Sequence, residues 1–383
     1  MTYRSDWCRG VRSAFFISLI TVCTLVAAKQ ASHHDVRVLL GKMQTGVWKL
    51  KASGGFILIP PGKSTQLEVK NDELTLTVRD GLVSINGKRL RHDEVSIRPR
   101  QGFLSFNDKS FGGSFSIDKD GKVVLLINTI DLEEYVASVV RTESWPGWPL
   151  EVNKVFAIAC RSYALAMQKR AQKNKRPYDL KNTNAHQTYA GVHSCQGVKR
   201  AVEMTRGVYL AYDGNPITAM FDSCCGGVSP AKIADFDFAR APYLARKKTC
   251  SYCKRCKIYS WQAQWPLAEF EKKLRTHLLS IGKLSDVRVS KKDKAGLVQQ
   301  VTCKGRSGAK TLTGAQLYAA LPAVKSFCFD VATKAGTVTL KGRGFGHHIG
   351  LCQWGAREMV RDDWAYKRIL RFYYPGTQLK QLT

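Results

Sequence analysis

With 383 residues, 44% hydrophobic and 10% aromatic, the chain has enough apolar material for a sizeable core, which excludes the disordered and low-complexity classes. Sixty Lys and Arg against thirty Asp and Glu leave a formal charge of +30, which calls for an anionic polymer or surface as partner. Nucleic acid is the usual first reading of such a charge, and the N-terminus argues against it.

Residues 1–28 carry Arg4, Arg9 and Arg12 ahead of an apolar run, Ala14–Ala28, that ends Leu25-Val26-Ala27-Ala28. A charged start, an apolar middle and small residues at the end make up a secretory signal peptide, with cleavage expected after Ala28. The run falls short of the roughly twenty residues of a spanning helix. An uncleaved membrane anchor is the alternative. Cys23 lies inside the run behind Val22, which argues against a lipid-modified cysteine. Either way the body is expected to be exported to the periplasm or cell envelope. Its partner is then an envelope polymer and not nucleic acid.

Residues 36–127 alternate short apolar runs with turn residues. Val36–Leu40, Phe56–Ile59, Leu74–Val78, Leu82–Ile85 and Val123–Ile127 read as strands. Asn86-Gly87 and Asp120-Gly121 are hairpin signals between such runs. This β-rich N-terminal region holds no acidic cluster and no cysteine that points to chemistry.

Helical patterns begin at Asp131. Leu132, Tyr135, Val136, Val139 and Val140 fall at steps of three and four and draw one face of an amphipathic helix. Glu133 and Glu134 fall off that stripe, whereas Glu143 falls on it, and Pro146 and Pro149 stop the helix within a turn. A carboxylate on a buried stripe is costly when ionised, so its pKa is expected to rise toward neutrality, as a general acid requires. The alternative is a helix that ends early and leaves Glu143 solvated.

A second helix is expected over Leu150–Lys173, apolar all round at Val155–Ala159 and so a core helix. The basic run Lys169–Arg176 that closes it is either a solvated face, favourable at a helix C-terminus, or a contact for an acidic polymer. From Asp179 to Tyr243 short strands and loops return, with Gly207–Tyr212 and Ile217–Phe221 strand-like around Asp213-Gly214. Leu267–Ile281 reads as a surface helix. Val287–Val301 and Gly336–Leu340 read as strands leading into a glycine-rich segment, Gly342–Gly350. Without a βαβ context that segment is poor evidence for a phosphate cradle, and its glycines fit a tight fold or a close backbone approach to a ligand.

Ten cysteines remain once Cys8 and Cys23 leave with the signal, three of them in the C-x-x-C-x-x-C run Cys250, Cys253, Cys256. These are weak metal candidates: the spacing suits zinc or an iron–sulfur cluster, but a full ligand set is not visible nearby. Disulfides compete in an oxidising compartment, and free thiols remain open. Cys224 and Cys225 do not readily bond to each other and are expected to pair elsewhere or stay buried.

Four segments then converge in order. They are Asp131–Val136 through Glu143-Ser144-Trp145-Pro146; Ala157–Ala164 with Arg161 and Tyr163; Gln187–Gly191 followed by Ala219–Gly227; and Gly342–Ala356 (GRGFGHHIGLCQWGA) with Tyr373–Gly376. As an ordered set they resemble the SpoIID (stage II sporulation protein D) family, which includes proteins called amidase enhancers. The resemblance runs from about residue 36 to the end and takes in the Phe111-Gly112-Gly113 turn. It implies an α+β fold, with mixed sheets and a few helices around a substrate groove. Residues 36–127 would form the β-rich part and 128–383 the catalytic core.

The resemblance further implies a peptidoglycan lytic transglycosylase. Such an enzyme acts on glycan strands stripped of their stem peptides and leaves 1,6-anhydroMurNAc ends, in division or sporulation. The family's catalytic glutamate precedes its Trp-Pro turn, which is the position of Glu143. Arg161 and Tyr163 are candidates for the same groove; Arg161 would pair either with the lactyl carboxylate of MurNAc or with Glu134 or Asp131. Gln187, Tyr189 and Ser223 would supply hydrogen bonds and a stacking surface for sugars, or merely satisfy loops. His347 would polarise substrate, bind metal or be structural, and Gln353 completes the set.

Some members of the family bind zinc just before the Gln-x-Tyr segment. Here Asp179–His186 keeps only His186 and no cysteine, so that site does not carry over and no cofactor is required, though zinc elsewhere stays open. Asp222 stands where histidine is common, His348 where glycine is usual, and Cys352 where serine is common. A hydrolase would need a second acid, for which Asp222 and Asp235 are the nominees. The expected partner is the glycan strand, with a wall amidase as a further one. The alternative function is a non-catalytic, peptidoglycan-binding amidase enhancer.

Overall fold

The computed structural model describes residues 34–382, apart from 62–65, 91–93, 146 and 184–185. The expected signal or anchor at 1–28 lies outside the described residues. Among those described, no helix is long and apolar enough to cross a membrane.

Period-two patterning builds the first half. Glu73–Arg79 buries Leu74, Leu76 and Val78 and turns its alternate residues outward. Asp35–Met43 pairs antiparallel with Val123–Asp131 in a seven-stranded sheet. Gly46–Ala52 pairs with Glu73–Arg79 in a six-stranded one. Both sheets feed one apolar core, to which Val38, Phe115 and Leu126 come from the first sheet and Leu50, Leu76 and Val83 from the second. Asn86 and Gly87 both take positive φ, 47° and 79°, as a tight hairpin between Leu82–Ile85 and Lys88–Arg89 requires. Gly113 has φ 71°, and a Cβ there would sit 2.1 Å from the Thr129 carbonyl oxygen, so the Phe111–Gly113 turn admits no side chain.

Strand Val123–Asp131 runs directly into helix α1 (Leu132–Glu143), and the Asp131 carboxylate caps it by accepting from the N–H groups of Glu133 and Glu134 at 2.9 and 3.2 Å. Helix α2 (Leu150–Lys173) follows after the proline-containing turn. Its apolar middle is explained by two cores. Phe156, Ala157 and Cys160 pack into the sandwich core with α1, while Val155, Ile158 and Ala159 face a second core. The second core gathers Leu210, Ile217, several cysteines and the helices near the C-terminus.

The remaining helices are α3 (Gln196–Glu203), α4 (Leu267–Lys273), α5 (Arg275–Leu278), α6 (Gly314–Ala320), α7 (Gln353–Arg361) and α8 (Tyr366–Tyr373). A third core collects α4 to α6 with the strands between Ser260 and Arg343. The fold is α+β with a β-rich N-terminal region, as expected.

Three local expectations change. Of the strand-like stretch Ile217–Phe221 only Phe221 lies in a strand, paired with Leu351. The helix read over Leu267–Ile281 breaks at Leu274, yet Phe270, Leu274, Leu278 and Ile281 all stay buried, so the periodicity reports burial across the break. Val287–Val301 is a hairpin of Leu284–Lys292 and Val298–Gly305. It turns where the Asp293 Oδ1 accepts the N–H groups of Ala295 and Leu297, each at 2.9 Å.

One buried ion pair fixes α1 against α2. Arg161 is fully buried, its Nε donates to Glu133 Oε1 at 2.8 Å, and one terminal nitrogen meets Glu133 Oε2. The other terminal nitrogen donates to the Val208 carbonyl at 2.8 Å, and Glu133 Oε1 also accepts the Gly207 N–H at 2.9 Å. Replacing Arg161 with alanine strands a buried carboxylate and is expected to cost about 3–5 kcal/mol in urea denaturation. The pair variant Glu133→Gln/Arg161→Met should recover most of that loss. A single-variant cost below about 1 kcal/mol, as for exposed pairs, would contradict this assignment.

Candidate active site

Helix α1 carries its buried stripe, Leu132, Tyr135, Val136, Val139 and Val140, to its last turn, and Glu143 is its last residue. The Ser144 N–H closes onto the Val140 carbonyl at 2.9 Å, and the chain then turns extended at φ −101°, ψ 159°. The stripe therefore surfaces at Glu143, which is half-buried and not enclosed as the periodicity predicted.

The segment around Gln187 holds this carboxylate through its backbone. Gln187 and Tyr189 point inward by strand-like alternation and are buried. Gln187 Oε1 accepts the Tyr135 hydroxyl at 3.0 Å, and the Tyr189 hydroxyl donates to Asn128 Oδ1 at 2.7 Å. Thr188, between them, is clipped by two consecutive helix residues. Its N–H donates to Glu143 Oε1 at 3.0 Å, and its carbonyl accepts the Thr142 hydroxyl at 2.6 Å. A backbone N–H on Oε1 fixes the rotamer and leaves the carboxyl turned to the groove.

That groove, about 680 Å³ in volume, is lined by Arg141, Thr142, Glu143, Ser144, Trp145, Ala190, His193, Ser223 and Gln353. Of the expected residues, Glu143, Ser223 and Gln353 meet there. Gln353 is buried and donates from Nε2 to the Glu143 carbonyl at 3.1 Å, tying the start of α7 to the end of α1. Glu143 is the only acid among the described lining residues.

The other expected residues serve the scaffold. Arg161 is spent on a structural ion pair, the alternative considered from sequence, but with Glu133 in place of Glu134 or Asp131. Tyr163 is half-buried beside His186, ring centroids 6.1 Å apart, and its phenol is pushed up by burial. Gln187 and Tyr189 have no exposed face to offer a sugar. His347 lies outside the groove lining; its Nδ1 accepts the Ile349 N–H at 3.1 Å, and burial holds its pKa down against the Phe221 carbonyl beside it. The glycine-rich segment packs on the loop near Cys224: the N–H of Phe345 and of Cys224 each bond the other's carbonyl, at 2.7 and 3.0 Å. A Cβ at Gly350 would lie 2.0 Å from the Met220 carbonyl oxygen, so close packing explains this glycine.

Of the acids nominated for hydrolysis, Asp222 is buried, its Oδ2 accepts the His348 N–H at 2.7 Å, and burial pushes its pKa well up. Asp235 is exposed on a different cavity. In the stretch before Gln187, Asp179 pairs with Arg37 at 2.7 Å and His186 Nδ1 accepts the Lys181 N–H at 3.2 Å.

Sequence reasoning missed Arg141, Trp145 and His193. Trp145 is 49% exposed, and Trp354 stands 6.2 Å from it and 5.5 Å from Trp148, ring centroid to centroid. Lys257 Nζ lies 5.2 Å from the Trp145 centroid. Two tryptophans in Trp145-Pro146-Gly147-Trp148 were the available signal; for His193 the spacing gave none.

The cysteine prediction is also revised. The thiols of Cys225, Cys250, Cys253 and Cys352 lie within 4.8 Å of one another and are buried. Cys256 is outside this group. It ends the short helical turn Tyr252–Arg255 in extended conformation and points its sulfur at Cys224, 3.7 Å away.

Residues 120–212 match the family model described as SpoIID, Stage II sporulation protein, and residues 243–350 match one described as a domain of unknown function, DUF8618. An uncharacterised protein of Brachyspira hyodysenteriae is 29% identical over 273 residues, 70% of this chain and 71% of that one. Stage II sporulation protein D of Bacillus subtilis is 26% identical over 272 residues, 67% of this chain and 76% of that one. The amidase enhancer of Bacillus subtilis is 25% identical over 289 residues, 63% of this chain but 39% of its own length.

His193 gives the groove a pH signature. Its Nε2 is 3.0 Å from the Ala137 carbonyl and its Nδ1 accepts the Cys195 N–H at 3.0 Å. Burial lowers its pKa, the Ala137 carbonyl opposes that, and Lys199 and Arg141 add to the lowering. The folded value thus lies below the unfolded one of about 6.5, so the unfolded chain binds more protons and stability falls as pH drops through that window. An NMR titration of the His193 ring should give a midpoint below about 6.5, and a midpoint at or above it would contradict this picture.

Proposed function

The chain belongs to the SpoIID and amidase-enhancer family, and on that premise we propose that it is an exported lytic transglycosylase of peptidoglycan glycan strands. The names of the relatives, a sporulation protein and an amidase enhancer, support a cell-wall-related role. The observation that carries the finer reading is the single carboxylate in the groove. A two-carboxylate glycosidase needs its second acid about 5–9.5 Å from the first, and no second acid lines this groove among the described residues.

A transglycosylase needs only one. Protonated Glu143 gives its proton to the oxygen leaving with the GlcNAc unit as the MurNAc C1–O bond breaks. The resulting carboxylate takes the proton from the MurNAc 6-hydroxyl, whose oxygen bonds to C1. The product is a 1,6-anhydroMurNAc end, water is not consumed, and Glu143 is again protonated. The Thr188 N–H steadies Oε1 through the cycle.

The other lining residues suit a glycan. Exposed Trp145, backed by Trp354, offers a stacking face, and Ser223 and Gln353 offer hydrogen bonds. Arg141 takes the place first considered for Arg161: it lies in the groove beside the acid and would pair with the lactyl carboxylate bared when stem peptides are removed. A net charge of +30 draws the chain to acidic wall polymers.

Digestion of denuded glycan strands followed by mass spectrometry should yield anhydro-ended fragments. Glu143→Gln should lower the rate by about 10²–10⁴-fold, while Trp145→Ala should raise KM with kcat little changed. Binding of glycan with no anhydro product from the unaltered protein would instead favour a non-catalytic amidase enhancer.

A further inference from the structure

We propose that Cys225, Cys250, Cys253 and Cys352 bind one zinc ion as a closed tetrathiolate site that fastens together the two segments bearing Ser223 and Gln353.

The geometry is that of a mononuclear site. A zinc ion with Zn–S bonds of about 2.3 Å at tetrahedral angles holds its sulfurs roughly 3.8 Å apart. The Cys225 and Cys253 sulfurs are 3.8 Å apart, and all four lie within 4.8 Å of one another. Two disulfides would need two sulfur pairs at about 2.05 Å and give no reason for all four to converge. An iron–sulfur cubane, with iron and sulfide between the ligands, spreads its thiolates further. Four sulfurs with no histidine or carboxylate among them suit zinc.

The surroundings are built for charged sulfur. Cys352 Sγ accepts the N–H groups of Cys225 at 3.2 Å and Gly355 at 3.3 Å, and the Tyr373 hydroxyl is 3.2 Å from Cys250 Sγ. Gly355 has no room for a side chain: a Cβ there would stand 2.7 Å from Cys250 Sγ and 2.3 Å from the Tyr373 oxygen.

An independent observation points the same way. Arg246 is only 2% exposed, yet its Nε and one terminal nitrogen have no hydrogen-bond partner. Its guanidinium stacks on Phe372 and on Tyr373, 5.2 and 5.4 Å from the ring centroids. That is the tyrosine whose hydroxyl meets Cys250. Four thiolates around Zn²⁺ carry a net charge of −2, which a buried cation in the same core offsets. Burial of all four sulfurs also shields them from oxidants in an exported protein.

The ligands come from three places in the chain, and two adjoin the groove. Cys352 immediately precedes Gln353, and Cys225 follows Ser223 by two residues. Phe221-Asp222 and Leu351-Cys352 pair in parallel, and the Trp354 N–H donates to the Ser223 carbonyl at 3.1 Å. The metal locks these segments to the Cys250–Cys253 turn and so sets one wall of the groove. This positional role rests on the groove reading proposed above; the metal site itself does not.

The full chain, purified without chelator, should carry one zinc per molecule by elemental analysis and native mass spectrometry. Cobalt exchanged for zinc should give the intense visible bands of a tetrahedral thiolate. Under native conditions a strong chelator should open Cys225, Cys250, Cys253 and Cys352 to alkylation, mapped by peptide mass spectrometry, and leave the other buried thiols unchanged, a readout on the unaltered protein that needs no folded variant. Cys225→Ser and Cys352→Ser should lose the zinc, while Cys256→Ser, Cys303→Ser and Glu143→Gln should keep it. Because zinc is counted without any glycan, its presence is read separately from the reaction. Metal-free protein with these cysteines alkylated or disulfide-linked, or an iron chromophore in place of zinc, would overturn the proposal.

Discussion

Arg161 and Glu133 meet where little water reaches, and the position of α1 on α2 follows from that contact. The guanidinium has carboxylate oxygens on one side and the Val208 carbonyl on the other, so it joins both helices to the strand that opens the second half of the fold. Glu133 also takes the Gly207 N–H and leaves little freedom in that junction. With α1 held at its first turn by this pair and by the Asp131 cap, its last residue can project to only one place. Glu143 reaches the groove because the helix is anchored ten residues earlier.

The same economy runs through the rest of the site. α2 is apolar around its middle because it divides two cores, and each core supplies one side of the groove region. From the sandwich side come α1 and the Gln187–Tyr189 segment, whose buried side chains orient the Thr188 backbone. From the other side come Ser223 and Gln353, held by segments that converge on four cysteines. Polar side chains that resemble a substrate-binding set in sequence are mostly anchors, and the surface left for a ligand is made of Trp145, Arg141, His193 and a few backbone-positioned groups. This is how a single carboxylate can be held firmly while one face stays open.

What the sequence made legible follows from which forces are local. Strand alternation, the Asn86-Gly87 turn, both long helices and the position of Glu143 at a helix end all depend on residues close in the chain, and they could be read there. The direction of a side chain in a motif is not local. Arg161 and Tyr189 looked like ligand contacts because their partners, Glu133 and Asn128, are chosen by tertiary packing. The burial of Glu143 was overstated because a helical stripe does not reveal that the helix stops at its own surface. The cysteine group was half visible: Cys250 and Cys253 share a short turn, but Cys352 lies about a hundred residues further on and is brought in by the pairing of Leu351-Cys352 with Phe221-Asp222.

The central claim is that one acid, Glu143, cleaves the glycan by moving protons only, with the sugar's own hydroxyl replacing water. The direct measurement is digestion of denuded glycan in H₂¹⁸O with mass spectrometry of the new MurNAc ends. The account predicts anhydro ends free of the heavy isotope. Ends carrying one ¹⁸O at C1 would mean that water attacks, and would contradict it.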